Sequence, residues 1–204
     1  GRVTVNYMDV VGTYDTIYSI SFKNSDNATI TNNKIEANGH TYIYGLQVSG
    51  ENFKVANNEI TSVSDNYYAC GIDIEGPASG VVADNVIDVK ANNSVYAIYS
   101  GMNSVVVNAE YVNNTITADA YNVFAFSLGD VESNVTNNFI DINGNYTTGI
   151  AYRGSNLSVK GNHIVLNSSE QGNETIWENF GVETVGIKVI QGNADISDNV
   201  IATA

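Results

Sequence analysis

Apolar and polar positions along this chain fall into one repeated phrase: an aliphatic residue, two spacers, Asn, one spacer, Ile. The Asn stands at Asn33, Asn58, Asn85, Asn114, Asn138, Asn162 and Asn199, and Ile follows two residues later at Ile35, Ile60, Ile87, Ile116, Ile140, Ile164 and Ile201. Three residues before each Asn come Ile30, Val55, Val82, Tyr111, Val135, Val159 and Ile196, and a degenerate copy surrounds Asn6. Successive Asn positions lie 25, 27, 29, 24, 24 and 37 residues apart. The unit is therefore about 24 residues plus insertions, which is a solenoid period.

A second apolar landmark precedes most Asn positions by 13 residues or slightly more: Gly45-Leu46-Gln47-Val48, Gly71-Ile72-Asp73-Ile74, Gly149-Ile150-Ala151-Tyr152 and Gly186-Ile187-Lys188-Val189, with variants at Ser19-Ile20, Ala97-Ile98 and Ala125-Phe126. These segments alternate with period two, as strands with one buried face do. Each unit thus carries three short strands: the Gly-Ile segment, the aliphatic pair before the Asn, and the Ile segment after it. Three strands per turn, each pairing in parallel with its copy one coil away, make an all-β single-stranded parallel β-helix of about seven full coils. Only about two residues separate the second strand from the third, so one of them must be left-handed, and the expectation is that Asn supplies it. Stacked amides can also hydrogen-bond along the axis, so the Asn column reads as structural.

The chain's 204 residues form one repeat array, so residues 1–204 are read as a single elongated domain. It opens at the level of a second strand and closes after a third, so both ends read as cut from a longer repeat-containing protein. One large insertion spans roughly 168–184 and holds the only tryptophan, Trp177, near Phe180. It leaves a third strand and returns to a first strand, which places it beside the first sheet, as a flap packing Trp177 and Phe180 over an exposed end or sheet, or else as an aromatic loop flanking a groove. The segment Gly101 to Ala109 is a few residues long for its place and predicts a bulged first turn, and Glu75-Gly76-Pro77-Ala78-Ser79-Gly80 has the plainest turn chemistry.

Charge then narrows the partners. With 8 basic and 22 acidic residues the net charge is −14, which disfavours nucleic acid. No stretch is long and apolar enough for a membrane helix. Cys70 is the only cysteine, so no internal disulfide can form; level with Tyr44 and Tyr96, it reads as a small packing residue. Eight Asn-x-Ser/Thr sequons, at Asn27, Asn92, Asn113, Asn134, Asn145, Asn156, Asn167 and Asn173, permit glycosylation, with Asn113 expected to be closely packed.

Candidate chemistry lies on the outward positions of the first strands: Ser21 and Lys23, Gln47 and Ser49, Asp73 and Glu75, Tyr99, Ser127, Ala151 and Arg153, then Lys188. Asp73 and Glu75, two apart on one strand, are expected roughly 7 Å apart, a spacing that suits an acid/base pair or half of a calcium site. Neighbouring coils supply no third carboxylate, and Arg153 is three coils away, so neither catalysis, metal nor cofactor is expected. His40 and His163 have no evident partner. Among the 13 tyrosines many fall in or just before the first strands and read as a stacked ladder. The candidate ligand-binding residues are Asp73, Glu75, Tyr99, Tyr152, Arg153 and Trp177.

The Asn followed by x-Ile at the tight second turn resembles the Asn ladder of pectate-lyase-like right-handed β-helices. The coils Asn32-Asn33-Lys34-Ile35, Asn57-Asn58-Glu59-Ile60 and Asn137-Asn138-Phe139-Ile140, joined to Tyr-Ala-Ile-Tyr and Tyr-Gly-Leu strands, resemble the adhesin-like surface proteins of methanogenic archaea. That resemblance implies an extracellular, cell-wall-associated segment that is not an enzyme and that mediates attachment to glycans, cell-surface proteins or other cells. A polysaccharide lyase or hydrolase is the competing expectation, and a structural spacer the third. The calcium ligands and basic catalytic residues of active pectate lyases have no matching positions on the ledge.

Overall fold

The computed structural model describes residues 8–12, 16–100, 107–169 and 184–203. The Trp177 flap, the long turn after Gly101 and the copy around Asn6 lie outside the described residues. The described chain is all β, with sixteen strands: β1 (Met8–Gly12), β2 (Thr16–Phe22), β3 (Thr29–Thr31), β4 (Lys34–Gly39), β5 (Tyr42–Ala56), β6 (Glu59–Ser64), β7 (Tyr68–Ala83), β8 (Val86–Lys90), β9 (Ser94–Ser100), β10 (Val107–Val112), β11 (Thr115–Leu128), β12 (Glu132–Thr136), β13 (Phe139–Lys160), β14 (His163–Ser168), β15 (Val185–Ser197) and β16 (Val200–Thr203). Every pairing is parallel and joins like positions of successive repeats. The result is a parallel β-solenoid of about six turns, close to the seven coils counted from the repeat.

Several strands run round a corner without a break: β5 and β7 join the first sheet to the second, β11 joins the third to the first, and β13 passes through all three. The expected turn at 75–80 is absorbed into β7, where the Gly76–Pro77 peptide is cis. Parallel pairing with the coils above and below, interrupted by register shifts between Val48 and Phe53, lets the chain turn without the punctuation a hairpin needs.

The core is a set of vertical columns. Ile35, Ile60, Ile87, Ile116, Ile140 and Ile164 are fully buried, as are Val55, Val82, Val135 and Val159. Glycine at the start of the Gly-Ile segments has a steric cause. A Cβ on Gly45 would stand 2.8 Å from Ile60 Cγ2, and one on Gly149 would stand 2.8 Å from Ile164 Cγ2. The Ile column presses on this corner, so the position takes only Gly, Ala or Ser along the chain.

The second turn works differently from the expectation. The left-handed residue is the one before the ladder Asn: Asn32, Asn57, Asp84, Asn113, Asn137 and Asp198 have φ between 55° and 59°, and Gly161 has φ 67°. These are residue types that tolerate that conformation. The ladder Asn is thereby free to turn its side chain inward, and the backbone N–H and Nδ2 of each donate to Oδ1 of the Asn one coil on, at 2.8–3.1 Å. The second Nδ2 hydrogen reaches back to the carbonyl of Ile30, Val55, Val82, Tyr111, Val135 or Val159 at 2.8–3.0 Å. Two neighbouring positions thus divide the work, which explains the Asn-Asn pairs.

Candidate functional site

The first sheet carries two outward columns that define the candidate site. One runs Tyr18, Tyr44, Cys70, Tyr96, Phe124; the other runs Ser21, Gln47, Asp73, Tyr99, Ser127, Ala151, Lys188. Parallel in-register pairing places equivalent side chains one above another, so aromatic residues at one position must stack. Tyr18 and Tyr44 stack at 4.5 Å, and Tyr96 and Phe124 at 4.9 Å with their planes 6° apart. Cys70 interrupts the column, and Tyr68, two residues earlier on the same strand, fills the gap with its ring 5.5 Å from both Tyr44 and Tyr96. The thiol beneath is fully buried, and burial pushes its pKa up, so it is a packing group as expected.

Beside the rings lies a polar row. Ser21 Oγ donates to Gln47 Oε1 at 2.7 Å, and Gln47 Nε2 donates to Asp73 Oδ2 at 2.8 Å and to Glu75 Oε1 at 3.0 Å. The two carboxylates share one amide nitrogen, so their nearest oxygens are closer than the roughly 7 Å expected from strand geometry. Lys23 reaches across the intervening coil to Glu75 Oε2 at 3.1 Å, with its ammonium 5.9 Å from the centre of the Tyr18 ring. Asp73 is only 6% exposed, and burial pushes its pKa up to about 6; the Gln47 bond and Lys23 pull against that, while Glu75 adds to it. Tyr99 lies edge-on to Tyr96 at 5.4 Å, and burial, with Tyr96 and Asp73 nearby, raises its hydroxyl to about 12. All these phenols stay neutral at physiological pH, able both to donate and to accept.

The outward row is less open than the alternation predicts. Gln47, Ser49, Ser127 and Ala151 are buried along with Asp73, while Ser21, Lys23 and Glu75 are exposed and Tyr99 is half-buried. The candidate set accordingly divides. Asp73, Glu75 and Tyr99 come together on adjacent coils. Tyr152 does not belong with them: it occupies the inward column with Val48 and Ile74, is fully buried, and its hydroxyl lies 3.1 Å from the Val131 carbonyl and 2.9 Å from that of Asn156. Arg153 is exposed three coils away, and Trp177 lies outside the described residues.

Two further expectations change. His40 has a partner, with Nδ1 2.6 Å from Asp65 Oδ1, and His163 packs edge-on against Phe139 at 5.2 Å. The sequon residue Asn113 is exposed rather than closely packed, as are Asn27, Asn92, Asn134 and Asn156. Among the described residues no group of three or more His, Cys, Asp or Glu could hold a metal ion, and no helix is long and apolar enough to cross a membrane.

One polar cluster escaped the reading of the repeat. Asp130, fully buried at the corner between β11 and β12, accepts hydrogen bonds from Tyr111 OH at 2.8 Å, from Ser133 Oγ at 2.5 Å and from Ser100 Oγ. Burial pushes the Asp130 pKa up and the three hydroxyls pull it back. The signal was present in the sequence: Tyr111 stands where the other coils carry Val or Ile, and Ser100 is the one small polar residue in a column that otherwise holds Phe22, Val48, Ile74, Leu128, Tyr152 and Val189. Comparison with protein-family models, with curated proteins and with solved structures finds no match for this chain.

Proposed function

We propose that this chain is a non-catalytic attachment segment of an extracellular surface protein, of the adhesin-like kind that its Asn-Asn-x-Ile coils resemble, and that it binds through the outward face of its first sheet. The observation that carries the reading is continuity. An aromatic column and a polar row run side by side along the axis over successive coils, from Tyr18 to Phe124 and from Ser21 to Tyr99. Both stand on a scaffold whose rungs are locked by the Asn ladder, so the surface is preorganised and little order is lost on binding. Glycans or surface proteins of another cell are the partners such a face suits. The purified chain, immobilised on beads, is expected to retain cells or cell-wall preparations, and Asp73→Ala/Tyr99→Ala is expected to lower retention with the fold intact. No retention by the wild-type chain on any surface overturns the proposal, and equal retention by an unrelated rod of the same length makes the chain a spacer.

The shared Gln47 amide favours a second reading, a polysaccharide-degrading site with Asp73 as acid and Glu75 as base or nucleophile. Against it stands the ion pair that engages Glu75 with Lys23. Release of reducing ends or unsaturated sugars from a polysaccharide panel, abolished by Asp73→Asn, would establish that reading instead.

A further inference from the structure

Resting on the attachment reading, we infer that the ligand of this face is an extended, uncharged polyhydroxylated chain, a neutral glycan lying parallel to the solenoid axis and bound along the edges of the tyrosine column. The ring geometry sets the mode of contact. Sugars commonly lie flat on an aromatic face, but here Tyr18 and Tyr44, and Tyr96 and Phe124, stack face to face at 4.5 and 4.9 Å, and Tyr68 sits tilted between Tyr44 and Tyr96 at 5.5 Å from each, with its plane at 47° and 39° to theirs. What remains for a partner is mostly ring edges, one per coil, with phenolic hydroxyls from Tyr18 to Tyr96 and an edge alone at Phe124. That repeat is set by strand spacing and lies close to the length of one pyranose residue in an extended chain. A polymer with hydroxyls at each residue can therefore meet one phenol per sugar without changing its register. Tyr18 is 42% exposed, Tyr44, Tyr96 and Tyr99 are half-buried, and the exposed Tyr42 and Tyr67 widen the band at its corner.

Charge sets the class. Over the coils that carry the rings from Tyr18 to Phe124, the flanking polar groups include Asp73 and Glu75 beside the Lys23 ammonium, and the chain as a whole carries −14. An anionic polymer such as a uronan or a teichoic acid would approach against that field, whereas a neutral chain would not. Ser21, Glu75 and Tyr99 offer further polar groups at the band's edge for sugar hydroxyls.

The test uses the full chain in calorimetric titrations with three hexasaccharides of equal length: cellohexaose, N-acetylated chitohexaose and hexagalacturonate. The variants are Tyr96→Phe/Tyr99→Phe and the same pair with Tyr18→Phe. Phenylalanine keeps each ring and its stacking contacts and removes only the hydroxyl, so the fold and its melting temperature should stay as they are. Binding of at least one neutral hexasaccharide, weakened tenfold or more by the variants, with hexagalacturonate bound far more weakly, is the expected result. Hexagalacturonate binding as well as the neutral chains, or variants binding like the wild type, overturns the inference. If no glycan binds while the beads still retain cells, the inference fails and the attachment reading stands; if neither occurs, both fail.

Discussion

Each interior ladder asparagine, from Asn58 to Asn162, uses both amide hydrogens and its carbonyl oxygen inside the core, so no isosteric replacement satisfies the site. Asn114 donates to Asn138 Oδ1 and to the Val82 carbonyl, and its own Oδ1 accepts from Asn85. Asn114→Ala leaves groups on both neighbouring coils unpaired and is expected to cost about 3 kcal/mol in denaturant unfolding, the sum of a few buried bonds. The residue before the ladder obeys a different rule. Asn137, with φ 56°, should tolerate Gly within a few tenths of a kcal/mol, whereas Asn137→Val should cost about 2 kcal/mol, because a β-branched side chain resists the left-handed region. Asp73 titrates with a definite sign. Its pKa of about 6 lies above the ordinary aspartate value of 3.8, so the native state holds the proton more tightly. Its contribution to stability therefore falls as pH rises from about 4 to about 6, by about 2–3 kcal/mol in all. Asp73→Asn should flatten that segment of the stability–pH curve and raise stability at pH 8 while leaving pH 4 unchanged.

At the scale of single elements, the repeat permits exceptions only in matched sets. Tyr111 puts a long polar side chain into the aliphatic column of β10, and Ser100 on β9 and Ser133 on β12 place hydroxyls around the same carboxylate. Tyr111→Phe removes one donor from a buried carboxyl and is expected to cost about 1–2 kcal/mol. Because the groups act together, Tyr111→Phe and Asp130→Asn should be non-additive by more than about 0.5 kcal/mol in a double-mutant cycle. On β7, Cys70 and Tyr68 form a second matched set: a small residue in the ring column and an aromatic one two positions earlier that leans over it. Native Cys70 should accordingly resist thiol reagents and react only on unfolding.

The described solenoid is nearly one-dimensional, with backbone pairing joining each coil only to its neighbours, so stability is close to a sum of coil and interface terms and opening proceeds from the ends. Hydrogen exchange should grade along the axis. The backbone N–H groups of Asn85 and Asn114, bonded to side-chain oxygens in the middle of the stack, are expected to be the most protected. Those of β15 and β16 should exchange faster, since Ile196 and Ile201 in the last described coil are each 47% exposed where their counterparts in the coil before are fully buried. Uniform protection from β2 to β16 would show a single cooperative unit instead.

The repeat by itself determined the architecture. A buried Ile two residues after an inward Asn, at a period near 24, has one economical solution, in which each column stacks on itself. The Ile ladder, the Asn ladder, the tyrosine stack and the packing role of Cys70 were all legible because in-register stacking turns sequence position directly into spatial neighbourhood. Tertiary structure decided what alternation alone leaves open. Period two assigns a face but not its exposure, so Gln47 and Asp73 face outward and are nonetheless buried beside their neighbours. Tyr152 faces inward by its alternation with Ala151 and Arg153, and what the fold adds is the pair of carbonyls, of Val131 and Asn156, within reach of its hydroxyl. The left-handed residue sits one place before the ladder Asn because only that leaves the amide pointing inward. Asp130 met its three hydroxyl partners only when the corner between β11 and β12 brought three strands to one point, a convergence in space that no spacing along the chain records.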